Sequence, residues 1–439
     1  MLEGPSFLIS RDVPSSCEQE NKWIYNTFRL VELSNNKRRL EVEEEKQAAE
    51  RKSQKFSNDL EEEEKQMNTI FIFPSQDQNQ AANFIDDSSW LIHPNLGRDN
   101  SINCLLRCSR SNYGSIALVN RSFRSLIRSG ELYKMRRKMG VIEHWVYFSC
   151  FPLEWDAFDP TCARWMHLPK MITDDCFMAS DKESLGVGTE LLVLGREIKS
   201  QAIYRYSILT NSWSSATEMN TPRYLFGSAS LGEIAIIAGG CDMNTKTVST
   251  AELYDSDTGL WSTLPDMNKA RRMCSAVFMD GKFYVLGGIG VDSSKRLTCG
   301  EEFDLRTKKW REIPNMFPTL RDDREAIRMA PPLIAVVNNE LYAADHVMQE
   351  LRKYVKSDNS WITLGRLPVR ASSMNGWGLA FRACGDQLVV IGGTIGCGRG
   401  VLEINAWVPN EGAPQWNLLG RRERESGGCF VYNCAVMGC

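Results

Sequence analysis

The sequence predicts a mainly β chain: an array of four-stranded units, preceded by a small all-α module and a charged N-terminal segment without a fixed fold. Two observations carry this. An aromatic residue followed seven residues later by tryptophan recurs at a regular interval along the last two thirds of the chain. Charge is also partitioned into blocks, although 52 basic and 55 acidic side chains leave a formal net charge of only -3 over 439 residues. At roughly 150 residues per domain, this length suggests two to three domains. With 43% hydrophobic and 24% charged residues the composition is that of a globular chain, which excludes wholesale disorder. The near-zero net charge argues against a protein that coats nucleic acid over its whole surface.

Residues 1–88 carry the runs LEVEEEKQAAERKSQ and LEEEEKQMN, which cannot bury enough apolar surface to offset ordering entropy; this segment is predicted to be disordered. Arg38 and Arg39, with Arg51 and Lys52 further on, read either as a two-part nuclear import signal or as a solvated mixed-charge stretch. The opening MLEGPSFLISRD lacks the basic and apolar regions of a secretory signal. No apolar run approaches the ~20 residues of a membrane-spanning helix. The fourteen cysteines are scattered and contain no CxxC pair. They read as small buried hydrophobes in a reducing compartment, which places the chain inside the cell, in nucleus or cytoplasm. Cys104 and Cys108 fall within a helical pattern, so no metal and no cofactor is predicted.

Residues 89–140 change to short helical pieces. Ile102, Leu105 and Leu106, and then Ala117, Leu118, Phe123, Leu126 and Ile127, follow helical spacing, with CSRSNYG as the turn between them. From Arg98 to Lys138 there are ten Arg or Lys against Asp99 and Glu131, a local charge of 10 − 2 = +8. Such an imbalance calls for an acidic partner, protein or nucleic acid; a solvated basic face is the alternative.

From residue 143 to the end the chain is periodic. The pairs are Phe158–Trp165, Tyr206–Trp213, Tyr254–Trp261, Phe303–Trp310 and Tyr354–Trp361, with successive tryptophans 48, 48, 49 and 51 residues apart. Trp416 follows with Trp407 in front of it at a wider gap. Upstream lie short apolar strands, IAIIAGG to Gly239–Gly240, FYVLGG to Gly287–Gly288 and LVVIGG to Gly392–Gly393, with weaker versions at Gly195–Arg196 and Ala343–Ala344. A glycine pair lets a strand end in a tight turn beside neighbouring backbone, where a Cβ would clash. The aromatic and Trp plates suit packing between sheets.

These residues resemble the kelch repeat, whose units are the blades of a β-propeller. The resemblance implies a six-bladed propeller over 143–439. Its first blade would lack an inner strand, and the apolar tail 429–437, CFVYNCAVM, is expected to supply it. The preceding segment resembles an F-box at Leu96, Ile102, Leu105, Leu106, Val119, Phe123, Leu126 and Ile127, with Gly97 where the usual proline stands and Phe123 in place of tryptophan. An F-box followed by kelch repeats is a plant arrangement. It implies that Leu96, Ile102, Leu105, Leu106, Val119, Phe123 and Leu126 dock a Skp-type adaptor, and through it a cullin scaffold, while the propeller recruits an unknown substrate protein for ubiquitination. Each of these apolar residues reads equally well as core of the module.

If the glycine pairs end second strands, the loops after them share a face with the blade-joining loops. Arg196, Asp242, Lys246, Arg272, Arg296 and Arg399 fall on that face and would suit a carboxylate-bearing segment. Arg223 and Arg271, aligned at blade junctions, read rather as structural ties. Catalysis is not expected. The histidines His93, His144, His167 and His346 are not paired at ligand spacing, and there is neither a GxSxG nor a P-loop. The chain therefore reads as a non-catalytic substrate-recognition subunit of an SCF-type (Skp–cullin–F-box) ligase. The alternative is a kelch interaction scaffold or nucleic-acid-associated protein without a ligase role.

Overall fold

A computed structural model describes residues 97–438, apart from 152, 181, 198–200, 293–295, 318–329, 374, 397–398, 411 and 426–429. The charged segment 1–88, its basic pairs and Leu96 lie outside the described residues. The strands, β1 to β24 in chain order, form six antiparallel four-stranded sheets arranged as the predicted six-bladed propeller. Blade I combines β24 (Asn433–Gly438) with β1 (His144–Phe151), β2 (Glu154–Asp159) and β3 (Arg164–His167). Blades II to VI take four consecutive strands each: 183–215, 227–264, 275–313, 334–366 and 380–425. The C-terminal strand closes the ring as expected, with Trp145 opposite Met437, Tyr147 opposite Ala435 and Phe148 opposite Cys434. It starts at Asn433 rather than at residue 429, and Val431 makes only a single bridge, to Gly378.

The second strands have a buried, apolar middle. In β9 (Ile234–Ala238) and β13 (Lys282–Leu286) all but the first residue are buried, the pattern of a strand covered on both faces. Outer strands such as β11 (Leu260–Leu264) alternate between exposed and buried. The aromatic and Trp of each pair stand opposite one another across the third and fourth strands, with ring centroids 4.9 Å (Phe158–Trp165), 5.4 Å (Tyr206–Trp213), 5.0 Å (Tyr254–Trp261), 4.9 Å (Phe303–Trp310) and 5.4 Å (Tyr354–Trp361) apart. Trp407 and Trp416 keep the contact at 6.1 Å. Five of the indoles also donate to a carbonyl at or just beyond the end of the preceding blade: Trp213 to Pro169, Trp261 to Thr217, Trp310 to Pro265, Trp361 to Met316 and Trp416 to Arg366, at 2.7–3.0 Å. The tryptophans therefore fix the spacing between sheets as well as filling it.

The glycine pairs behave in two ways. Gly239–Gly240 and Gly287–Gly288 are left-handed (φ +72, +99, +63 and +91) and end their strands as predicted. Gly392–Gly393 do not. They continue in β21 (Gln387–Gly396), whose hairpin partner β22 (Arg399–Trp407) pairs with it throughout. In blade V the Ala343–Ala344 strand runs into a short hairpin, in which the Asp345 carboxylate accepts from the Val347 and Met348 N–H groups.

The helical module comprises α1 (Gly97–Arg107), a 3-10 turn (Arg110–Asn112), α2 (Tyr113–Val119), α3 (Arg121–Arg128) and α4 (Glu131–Lys138). The Asn120 side chain caps α3 by accepting from the Phe123 N–H at 2.8 Å. Gly130, at φ +77 between α3 and α4, takes a conformation that a Cβ would strain. Its core is shared with the propeller: Leu105, Leu106, Phe123, Leu126, Leu132 and Tyr133 belong to one cluster with Trp145, Tyr147, Trp155, Leu191 and Tyr206.

Candidate functional site

Antiparallel order puts the turns between first and second strands, and between third and fourth, on one face of the propeller. The turns between second and third strands, and the blade-joining loops, lie on the other. The helical module sits on the first of these faces. Lys134 pairs with Asp257 in a turn of blade III at 2.7 Å, Arg137 pairs with Glu233 in another, Gly130 meets Leu209 of blade II, and Arg164 of blade I donates to Ser111. Among the described residues, the opposite face, called the open face below, carries no part of this module.

A buried polar network holds the joint. Arg136 is fully buried, donates to the carbonyls of Leu106 (3.2 Å) and Cys108 and to the Tyr113 hydroxyl (3.1 Å), and pairs with Glu143 at 2.9 Å. Glu143 also accepts from the Arg110 N–H at 2.8 Å. The Arg110 guanidinium donates to the Tyr147 hydroxyl at 3.1 Å and lies 4.3 Å from the Trp145 ring centre. Burial raises the Tyr113 hydroxyl pKa, outweighing the nearby Arg136, so it stays a neutral hydrogen-bonding group. Three of the module's ten cations (Lys134, Arg136 and Arg137) thus meet carboxylates of the same chain, so part of the basic excess that called for an acidic partner is answered internally.

Five of the apolar residues expected to dock an adaptor are core positions here: Ile102, Leu105, Leu106, Phe123 and Leu126 are buried. A helical period shows which face is apolar, not what covers it, and the propeller covers this one. Val119 is exposed (71%), as is its neighbour Leu118 (76%), at the end of α2. Among the described residues they are the most exposed large apolar side chains of the module.

Toward the open face, Asp242, Lys246, Arg272 and Arg296 fall in second-to-third-strand turns or blade-joining loops, while Arg196 ends β5 (Glu190–Arg196) and Arg399 begins β22, each beside such a turn. Tyr224 and Cys241 bridge through paired backbone hydrogen bonds (3.0 and 2.8 Å), and Arg272 reaches the Cys241 sulfur at 3.9 Å. Burial raises the Tyr224 hydroxyl pKa, outweighing the opposite pull of Arg196 and Arg272. Asp242 is engaged as a turn cap, accepting from the Asn244 and Lys246 N–H groups at 2.9 Å.

Arg223 and Arg271 are the structural ties the sequence favoured. Both are buried, Arg223 pairing with Glu252 at 2.5 Å and Arg271 with Glu301 at 2.7 Å. Each guanidinium also donates to carbonyls of the next blade, Thr250 at 2.5 Å in one case and Gly287 and Cys299 at 3.0 Å in the other. The glutamates in turn accept from Asn220 and Thr221, and from Asn268 and Lys269. Sequence reasoning missed these glutamates, although each stands two residues before its repeat aromatic. Buried thiols are inert: burial pushes Cys274 and Cys384 up to about 12 and Cys434 to about 11. Among the described residues no three His, Cys, Asp or Glu side chains gather as a metal site, and no helix is long and apolar enough to cross a membrane.

A profile of the kelch motif matches residues 222–268 and 270–317, blades III and IV with the loops that lead into them. An F-box/kelch-repeat protein of Arabidopsis thaliana is 52% identical over 455 aligned residues, covering 100% of both chains. A second from the same organism is 59% identical over 359 residues, 80% of this chain and 84% of the relative. F-box/kelch-repeat protein SKIP11, also of Arabidopsis thaliana, is 57% identical over 376 residues, 83% and 80% of the two chains. The repeats, the helical module and this similarity along the whole length agree: the chain belongs to the F-box/kelch-repeat protein family.

Proposed function

We propose that this chain is the substrate-recognition subunit of an SCF-type ubiquitin ligase, inside the cell. The helical module docks a Skp-type adaptor, and through it a cullin scaffold, while the open propeller face holds the substrate protein. The observation that carries the reading is the division of faces: the module occupies one side through the Arg110–Arg136–Glu143 network, and the opposite side is left for a second partner. The chain supplies no chemistry of its own. It raises the effective concentration of substrate near a ubiquitin-charged enzyme, and a buried joint keeps that distance fixed.

The test is co-purification with plant Skp adaptors, comparing the wild-type chain with a Leu118→Glu, Val119→Glu variant. Both side chains are exposed, so the variant keeps the fold. Adaptor capture by the wild type, insensitive to salt and lost in the variant, is the expected result. Failure of the wild type to bind any of several adaptors would overturn the ligase reading. Truncating Leu105, Leu106 or Phe123 is a poor test, because these side chains hold the module on the propeller.

A further inference from the structure

The open face is chemically divided. Across blades II to IV it presents Arg196, Lys246 and Arg272, and none of these three cations forms an ion pair with a carboxylate among the described residues. The contrast with the module side is direct, since Lys134, Arg136 and Arg137 there are each matched by a carboxylate. In the loops that join blade V to VI and blade VI to I, the same face carries exposed aromatic side chains. Trp377 and Tyr432, both in blade-joining loops, remain 39% and 53% exposed at the rim of the central channel, a cavity of about 630 Å³ that they help to line.

Trp377 is not a side chain left out by chance. It stands between Gly376 and Gly378, both at φ +86, in a loop closed by the Gly376 N–H donating to the Ser373 carbonyl and the Trp377 N–H to the Ser373 hydroxyl. A Cβ on Gly376 would strike the His346 ring at 2.6 Å, and one on Gly378 the Phe430 ring at 2.6 Å. The backbone is thus fitted closely on either side of a large side chain held at the channel rim. Fixed aromatic groups of this kind, ordered before binding, anchor interfaces at little entropic cost.

We propose that the open face selects substrate segments that are acidic and also carry one bulky apolar side chain, the carboxylates lying against Arg196, Lys246 and Arg272 and the apolar group entering the channel mouth beside Trp377 and Tyr432. The inference rests on the receptor reading and names its substrate chemistry. Charge complementarity supplies the orientation and on-rate; the apolar anchor supplies burial in a concave site. Acidic segments without an anchor bind weakly, and apolar segments without acids are not selected.

The test is selection of a random peptide library displayed on phage against the full-length chain. The wild type enriches sequences that combine acidic residues with a bulky apolar one. Trp377→Ala keeps the acidic bias but loses the apolar position, and Lys246→Glu with Arg272→Gln loses the acidic bias. Circular dichroism and adaptor capture check that each variant is folded. Enrichment of neutral or basic peptides, selection unchanged in both variants, or no enrichment by the folded wild type would overturn the inference. Adaptor capture run in parallel separates the two readings. Peptide selection without adaptor capture removes the ligase role and leaves the surface; adaptor capture without peptide selection does the reverse.

Discussion

Blades III and IV and blade VI all carry the dipeptide Gly-Gly after an apolar strand, and they use it differently. In blades III and IV the glycines turn left-handed, and a Cβ would meet backbone: the Tyr224 carbonyl at 2.5 Å from Gly240 and the Arg272 carbonyl at 2.6 Å from Gly288. In blade VI the strand runs straight on, and the closest atoms to a Cβ on Gly392 would be side chains, Leu379 at 2.8 Å and Val369 at 3.2 Å. What differs is the neighbour. Blades III and IV each receive a buried arginine from the loop before them, which captures carbonyls and a glutamate of the incoming blade. The turn is held open for that arginine, so the dipeptide alone does not specify it.

The largest way to break the comparison is to remove the arginine. Arg271→Ala leaves Glu301 buried and unpaired, and is expected to cost about 3–5 kcal/mol in chemical denaturation. Replacing both partners, Arg271→Met with Glu301→Leu, should restore much of that loss, because two apolar groups need no counter-charge. A double variant as unstable as the single one would mean that the arginine acts mainly through its bonds to the Gly287 and Cys299 carbonyls.

The glycines come next. Gly288→Ala forces a left-handed residue and a backbone clash, for an expected ~2–4 kcal/mol. Gly392→Ala needs only the Leu379 and Val369 side chains to move, and ~1–2 kcal/mol is expected. Equal losses, read from paired denaturation curves, would erase the distinction between the two glycine uses.

Those differences mark how far the sequence could be read. The aromatic–Trp interval gave the blade count, because each pair sits at the same place in its sheet, and the unattached apolar tail gave the closing strand. The latch glutamates Glu252 and Glu301 were not legible, because their partners lie 29 and 30 residues away in a loop. No local pattern links such residues until the sheets are stacked. Likewise the period of α3 marked Phe123 and Leu126 as apolar, but not that they would share one core with propeller residues such as Trp145 and Trp155. The positions of the open-face cations beside these turns and loops were legible from topology alone; their binding role was not. The aromatic rim at Trp377 and Tyr432 was not, because single aromatics in loops carry no period.

Blade IV also differs from blade III at the next residue. Glu301 and Glu302 are adjacent on β14 (Gly300–Asp304) and point to opposite faces, so Glu302 is held within its own sheet by Lys282 and Arg311, both at 2.8 Å; blade III has Leu253 there. Burial alone would raise the Glu302 carboxyl, but its hydrogen bonds to Arg311, Lys282 and Tyr284 win and take it from 4.5 to about 2. A carboxyl with a depressed folded pKa gives stability that is complete above its unfolded value and lost as pH falls through the folded one. Wild type should therefore exceed Glu302→Gln by ~1–3 kcal/mol near neutral pH. The gap should close between pH 4.5 and about 2. A gap that does not change with pH would assign Glu302 a packing role.

The smallest effect separates the two blades through their tryptophans. Trp261 and Trp310 donate the same bond, to Thr217 at 2.9 Å and to Pro265 at 2.7 Å, but Trp261 is buried and Trp310 only half-buried. Phenylalanine in either place keeps a ring against Tyr254 or Phe303 and removes the donor. Trp261→Phe leaves a carbonyl in a drier place and should cost ~1–2 kcal/mol, whereas water can reach Pro265 after Trp310→Phe and ~0.5–1 kcal/mol is expected. Thermal melts of the two variants side by side make the measurement. If Trp310→Phe proves the costlier, then the indole bond rather than its burial sets the spacing between blades III and IV.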